Sequence, residues 1–376
     1  MMENSVVIVN QSVGYLTIDV CNSLAKHYND VTLISGKIGP SVRQLDSKIK
    51  IESIISYDKS NIAKRIYTWV KGTWQLYKII KKKYPDADIL FFTNPPTSYL
   101  TMLKLKNRFS IVEYDVYPDA LKNIKCPAFI IKKWTRWNQK LFREANGIVA
   151  LSNGMKKILT KYVEPDKVQV IPLWPSSSIV EKIQPEENLF ITENNLQEKF
   201  IVMYSGNIGY THNVESIIQL AEAMKDYNNI AFLIIGEGGK KDKIIKMANE
   251  KGLNNCHFHD FLPAAKLKYS LSAANIGIVT LTEETAAVSV PSKSFNLLSY
   301  GVPILNIAPN GSELGNVISK YGCGASFSDK QLDLMKSFLI KCSEDKQYYL
   351  DLCNATFEAN LNFTVDNADK YINILN

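Results

Sequence analysis

Lys293 sits where a lysine is not expected. The stretch VPSKSFNLLSYGVPIL, residues 290–305, reads as a loop that enters a helix at Pro291, Ser292 and Lys293. The helix then runs for roughly two turns and stops at Gly301 before a buried strand. A helix N-terminus carries partial positive charge, which favours anions and disfavours cations. A lysine there makes chemical sense if an anion sits with it, and Ser292 as N-cap would leave free N–H groups aimed at the same point. Two more loops carry related chemistry. YSGNIGYTHN places Gly206, Asn207 and Gly209 after a β-rich run, a glycine turn whose amides suit a phosphate, with Asn213 placed to cap the next helix. IIGEGGKK is a second glycine turn followed by lysines. Any strand-to-helix turn uses glycine and any helix tolerates a surface lysine. Recurrence at three strand ends favours a diphosphate gripped without a metal ion.

Other chemistries lose their support. There is no G-x-x-x-x-G-K-[ST] loop and no G-x-G-x-x-G, only Gly14 after the run VVIVN. The cysteines Cys21, Cys126, Cys256, Cys323, Cys342 and Cys353 are scattered without a C-x-x-C pair, as reduced thiols are. His257 and His259 alternate on a short strand with no third ligand nearby in sequence. No metal and no cofactor are therefore expected. No apolar run reaches the ~18 residues of a membrane-spanning helix, and no basic segment precedes an apolar one at the N-terminus. A cytoplasmic protein without a signal peptide is the expectation.

The elements that must position these loops follow one grammar, used twice. At 376 residues, 46% hydrophobic and 22% charged, the chain suits two soluble domains. Apolar runs at 6–10, 31–35, 49–55, 88–93, 110–114, 147–151 and 168–172 alternate with helical stretches, and runs at 200–206, 230–236, 256–261, 276–281 and 302–307 repeat the pattern. Such runs predict parallel sheets covered on both faces. The fold class is α/β, two Rossmann-like doubly wound domains facing across a cleft, with ligands outside the carboxyl ends of the strands. The expected bounds are 1–175 for an acceptor-binding domain, 176–199 for a linker, 200–355 for a nucleotide-sugar domain and 356–376 for a C-terminal helix packing back toward the first domain.

In order and spacing, YSGNIG…SIIQLAEAM, FLIIGEGGKKDKIIKMANEKGLNNCHFHDFLPAAKLKYSLSAANIGIVTL and VPSKSFNLLSYGVPIL resemble the donor domain of family 4 glycosyltransferases of the GT-B fold, bacterial surface-polysaccharide type. The first half resembles the family more weakly, through DILFFTNPPTSYL, IVEYDVYPDAL and GIVALSNGMKKIL. The resemblance implies metal-independent transfer, with retention of anomeric configuration, from a UDP- or GDP-sugar to a growing oligosaccharide. It also implies that Gly206, Asn207, Gly209, Ser292 and Lys293 hold the diphosphate, with Gly14 approaching from the first domain. The sequence departs from the family at two glutamates, replaced here by Val288 and Asn296. Asn296 would bind the ribose more weakly than a carboxylate, with Glu283 and Glu284 as partial substitutes. A histidine common in relatives is replaced by Asp115, which would orient the acceptor or support developing positive charge; a structural cap beside Glu113 is the plainer role.

Charge separates the halves. Residues 1–180 carry 27 Lys and Arg against 14 Asp and Glu, and the remainder 17 against 23. Segments 61–86 and 126–142 mix Trp69, Trp74, Tyr67 and Tyr77 with Lys71, Lys78 and Lys81 to Lys83, a composition suited to an anionic membrane surface and a lipid-linked acceptor. Two helices packing on a core with solvated lysines is the alternative, and no recognition motif accompanies the charge to suggest nucleic acid. Two rival functions share the motifs: a nucleotide-sugar epimerase of the same fold, and a non-catalytic nucleotide-sugar-binding partner.

Overall fold

The structure, a computed structural model, describes residues 5–119, 127–176, 182–209, 212–287 and 290–375. It divides into two compact units, Met1–Ser176 with Val365–Asn376, and Ser177–Thr364. Each is built on one parallel sheet because its apolar runs are hydrophobic on both sides and need cover on both faces.

In the first unit the strands lie in the order Lys50–Ser53, Asp30–Ser35, Ser5–Val9, Asp88–Phe92, Phe109–Val112, Ile148–Ala150 and Val168–Val170, all pairs parallel. One face packs Val7, Ile89, Phe91 and Ile111 against Leu76, Ile80, Leu141 and Phe142 of the helices Ile62–Lys83 and Ala128–Glu144. The other packs Val6, Ile8, Leu90 and Phe92 against the helix Tyr15–Leu24 and the C-terminal segment.

The second unit orders its strands Cys256–His259, Ile230–Ile235, Phe200–Ser205, Ile276–Thr280, Ile304–Ile307 and Gly324–Phe327, again all parallel. The last of these is absent from the sequence reading. A Cβ on Gly324 would lie 2.0 Å from the Ile304 oxygen, so glycine is what lets this edge strand close on its neighbour.

Two boundaries differ from expectation. Within the expected linker, the helix Leu189–Glu193 buries Phe190 and Ile191 in the second unit, and Asn188 Nδ2 donates to the Tyr269 carbonyl at 2.9 Å. At the other end, the helix Lys346–Asn360 stays in the second unit, and the chain joins the first only from Val365. There Ser110 Oγ donates to the Ile374 carbonyl at 2.7 Å and Tyr371 stacks on Phe92.

Candidate active site

The second sheet sets the place. Its strands run outward from Phe200–Ser205 in one direction and from the adjacent Ile276–Thr280 in the other. Doubly wound domains bind ligands at the carboxyl ends of strands where the order reverses in this way. Two glycine loops and the helix Ser292–Ser299 meet there. Ile208 N–H donates to the Glu237 carbonyl at 2.8 Å, and Lys240 N–H to the Ile208 carbonyl at 3.0 Å. A Cβ on Gly236 would come within 1.9 Å of the Gly206 oxygen, and one on Gly238 within 2.4 Å of the Ile208 carbonyl carbon. Those glycines allow one loop to lie directly on the other.

Lys293 brings an unbalanced charge into this cluster. The residue is half-buried, but its Nζ is fully covered and has no hydrogen-bond partner. Nζ lies 4.0 Å from the centroid of the Tyr204 ring, and a Cβ on Gly206 would stand 3.3 Å from it. The Tyr204 hydroxyl donates to the Asn207 carbonyl at 2.7 Å, fixing that ring beneath the loop. Moving an ammonium out of water costs several kcal/mol, of which the aromatic face returns up to ~2 kcal/mol. Burial accordingly pushes the Lys293 pKa down to about 7. At neutral pH the amine is divided between its two forms.

Lys240 is also buried but is paired. Its Nζ donates to Glu215 Oε2 and to the His212 carbonyl, both at 2.6 Å, while Lys243 holds the other Glu215 oxygen at 3.1 Å. The His212 imidazole is pushed down to about 4 by burial and then by the charges of Lys293 and Lys240, so it is neutral at physiological pH. Asn296 and Ser205 share with Lys293 a cavity of about 30 Å³, walled by Met203, Ile278 and Leu297.

The structure thus brings Gly206, Asn207, Gly209, Lys293 and Asn296 to one place. Ser292 is not an N-cap: Pro291 holds that position without a side-chain cap bond, and Ser292 is the exposed first residue of the helix. The proline's own φ of −60° and ψ of 137° supply the entry geometry that a capping hydroxyl would otherwise stabilise. Asn213 is not a cap either. The helix Glu215–Ala223 starts after Val214, and Asn213 Nδ2 donates to Asp329 at 3.0 Å. Glu283 is exposed on the short helix Glu283–Ala286; the Glu284 side chain and Val288 lie outside the described residues. Sequence reasoning missed Tyr204, His212, Glu215 and the distinct role of Lys240, although GEGGKK marked the last as a lysine following a glycine turn.

Gly14 and Asp115 belong to the first unit. Gly14 precedes the helix Tyr15–Leu24, and a Cβ placed there would meet nothing within 4 Å. Asp115 follows the strand Phe109–Val112 and is exposed at its surface. The protein packed around it raises its carboxyl above the usual range even so, with the Arg65 guanidinium pulling the other way. Glu113 is fully buried with neither carboxyl oxygen partnered. Burial raises it well above the carboxylate range; the nearby Thr93 hydroxyl opposes this without a well-formed hydrogen bond, and the Asp115 charge adds to it. Among the described residues, no group of three His, Cys, Asp or Glu side chains is arranged to hold a metal ion.

Residues 13–174 match the family model described as Glycosyltransferase Family 4, and residues 186–356 the one described as Glycosyl transferases group 1. "Probable glycosyltransferase WbjE" of Pseudomonas aeruginosa is 23% identical over 329 residues, covering 83% of this chain and 81% of that protein. WaaG, a glycosyltransferase involved in lipopolysaccharide biosynthesis, superposes with a TM-score of 0.69 at 13% identity over 98% of this chain and 99% of its own. Anabaena HepE in complex with UDP-glucose superposes at 0.73, with 13% identity over 98% of each chain. At those identities the two structures speak for the fold, which is the two-domain GT-B fold.

Proposed function

Because the chain belongs to the family 4 and group 1 glycosyl transferases, we propose that it moves a sugar from a UDP- or GDP-linked donor to a growing, lipid-linked surface oligosaccharide, with retention of configuration and no bound metal ion. The observation that carries this reading is the buried, unpartnered Lys293 ammonium beside the Gly206 loop. A preorganised cation in a low-dielectric site stabilises charge that develops on a departing diphosphate without reorganising. The diphosphate would lie against Gly206, Asn207, Gly209 and Lys293, near Ser292 in the first turn of the helix, and would draw Lys293 fully into its protonated form. Asn296 would meet the ribose, with Glu283 and Glu284 as secondary candidates. Asp115 would serve the reacting centre, and Gly14 is the donor-binding candidate that the first unit contributes. HepE was solved with UDP and with UDP-glucose, which supports a nucleotide-sugar donor here.

The helix Ile62–Lys83 supports a lipid-linked acceptor. Thr68, Gly72, Leu76 and Ile80 face the core at intervals of four, leaving Ile62 69%, Ile66 50%, Val70 61% and Trp74 54% exposed. Lysines flank this stripe, Lys78 lying 3.6 Å from the Trp74 ring centroid. An apolar stripe set among lysines is the pattern of a helix lying in an anionic membrane surface. The helix Ala128–Glu144 contributes only exposed Phe129 and Ile130 at its start, since Trp134 packs into the core. No described helix is long and apolar enough to cross a membrane. A peripheral protein on the cytoplasmic leaflet is the reading we adopt.

The test is to incubate the protein with radiolabelled UDP- and GDP-sugars, EDTA and a lipid extract containing polyprenyl-linked oligosaccharide. Label should enter the lipid fraction, and the new linkage should keep the donor's anomeric configuration by NMR. Label released only as free sugar, or transfer that requires added magnesium, would contradict the proposal.

A further inference from the structure

The first unit carries a second set of buried polar groups without partners, well separated in sequence from the lysine site. Arg65 Nε and Trp69 Nε1 are both covered by protein, and neither has a hydrogen-bond acceptor. They stand one helical turn apart at the start of the helix Ile62–Lys83, with the Arg65 Cζ 4.7 Å from the Trp69 ring centroid. Arg65 Nη2 donates to the Tyr117 hydroxyl at 3.3 Å, while the covered Nε has no acceptor. Trp69 stacks with Tyr57 at 6.3 Å and meets Tyr117 edge-on at 5.9 Å. Asp115 lies close enough to Arg65 for the two charges to act on each other.

The location is that of a ligand site. In a parallel α/β sheet each helix begins near the carboxyl end of the strand before it, so the first turns of the helix Ile62–Lys83 and the Asp115 turn share one edge of the sheet. A buried N–H left unpaired keeps the whole penalty of losing its water. Two such donors side by side call for a ligand with acceptor atoms.

A simple anion fits poorly, because the Asp115 carboxylate faces the same arginine. A sugar hydroxyl fits well, since it accepts from one neighbour and donates to another. Aromatic edges and faces from Tyr57, Trp69 and Tyr117 supply the apolar surface that sugar C–H groups prefer. We infer that Arg65, Trp69 and Asp115 form a subsite for a neutral sugar of the acceptor, vicinal hydroxyls taking hydrogen bonds from Arg65 Nε and Trp69 Nε1 and giving one to Asp115. This rests on the reading of the first unit as the acceptor domain. It assigns Arg65 and Trp69 to recognition rather than to the membrane-facing stripe of the same helix.

The experiment follows the indole N–H resonances of the ¹⁵N-labelled full-length protein, with Trp69 identified by its loss in Trp69→Phe. Methyl glycosides of neutral hexoses and deoxyhexoses are titrated one at a time, with glucuronate and inorganic phosphate as anionic arms. UDP and GDP affinity is measured by calorimetry on the same samples. The inference expects a saturable shift of the Trp69 resonance with at least one neutral glycoside. Affinity should fall about tenfold in Arg65→Met and in Asp115→Asn, the loss of roughly one hydrogen bond, while nucleotide affinity stays unchanged. No shift with any neutral glycoside overturns it, as does a shift with phosphate or glucuronate alone. Loss of nucleotide binding in the unmodified protein is a separate result that strikes the donor reading instead.

Discussion

The lysines of the helix Ile62–Lys83 and the two lysines at the glycine loops use the same charge in opposite ways. Lys71 and Lys81 lie in solvent and reach no further than tyrosines one turn away on their own helix. Lys240 and Lys293 have given up water, one for Glu215 and the other for no counter-ion at all. An exposed charge acts weakly and over a distance set by salt, whereas a buried one acts strongly on whatever touches it. Lys240, paired and locked, holds two loops together; Lys293, unpaired, is a cost that the fold tolerates because a ligand removes it.

The largest expected effect lies on the surface. Replacing Lys71, Lys78, Lys81, Lys82 and Lys83 with glutamine should weaken binding to vesicles rich in anionic lipid by about 1 kcal/mol per residue. Sedimentation should show native binding falling as salt rises, because the attraction is screened over ~8 Å at physiological ionic strength. The apolar stripe from Ile62 to Trp74 should leave a salt-resistant remainder. Vesicle binding by the native protein that is absent, or indifferent to these five lysines, would return the helix to ordinary scaffolding.

Next comes the locked lysine. Lys240→Met leaves half-buried Glu215 with Lys243 alone and removes the donor to the His212 carbonyl, and should lower stability by about 3 kcal/mol, the scale for removing one partner of a buried pair, as read by urea denaturation. Lys293→Met removes an unpaired charge and should leave stability unchanged or raised. The folded pKa of Lys293, about 7, lies below the unfolded value near ~10.4, so the unfolded chain binds the extra proton between those limits. Its contribution to stability therefore rises with pH across that window, and should vanish in Lys293→Met. Equal losses in the two variants would erase the distinction between them.

Ligand binding should reverse the ranking. Lys293→Met should weaken UDP or GDP binding by about 1.5–3 kcal/mol, the range for a hydrogen bond to a charged group, as measured by calorimetry. The smallest effect is on pH dependence. Above pH 7 native affinity should fall by up to about tenfold per unit, because the empty site must then take up a proton to bind. Lys293→Arg, charged throughout, should bind without that slope.

Much of this was legible beforehand, for identifiable reasons. The strands Ser5–Val9, Phe200–Ser205 and Ile276–Thr280 announced themselves as apolar runs because both faces of a parallel sheet are buried. Lys293 was legible because a cation in a first helical turn contradicts the dipole. The caps were not, since a proline entry at Pro291 and a distant partner for Asn213 depend on what surrounds each loop rather than on the loop's own residues. The contrast between Lys240 and Lys293 was equally hidden, because it turns on Glu215, a residue 25 positions away from one and absent from the other. Trp69 looked like part of a membrane belt until packing with Tyr57 and Tyr117 set it apart.

Lys293 is the amine expected to meet the diphosphate. Titrating UDP and GDP at pH 8 in two buffers of different ionisation enthalpy measures it directly, since most Lys293 amines are neutral there and must gain a proton to bind. The native protein should take up about one proton per nucleotide bound, and Lys293→Arg none. Binding with no proton uptake, or with the same uptake in both proteins, would contradict it.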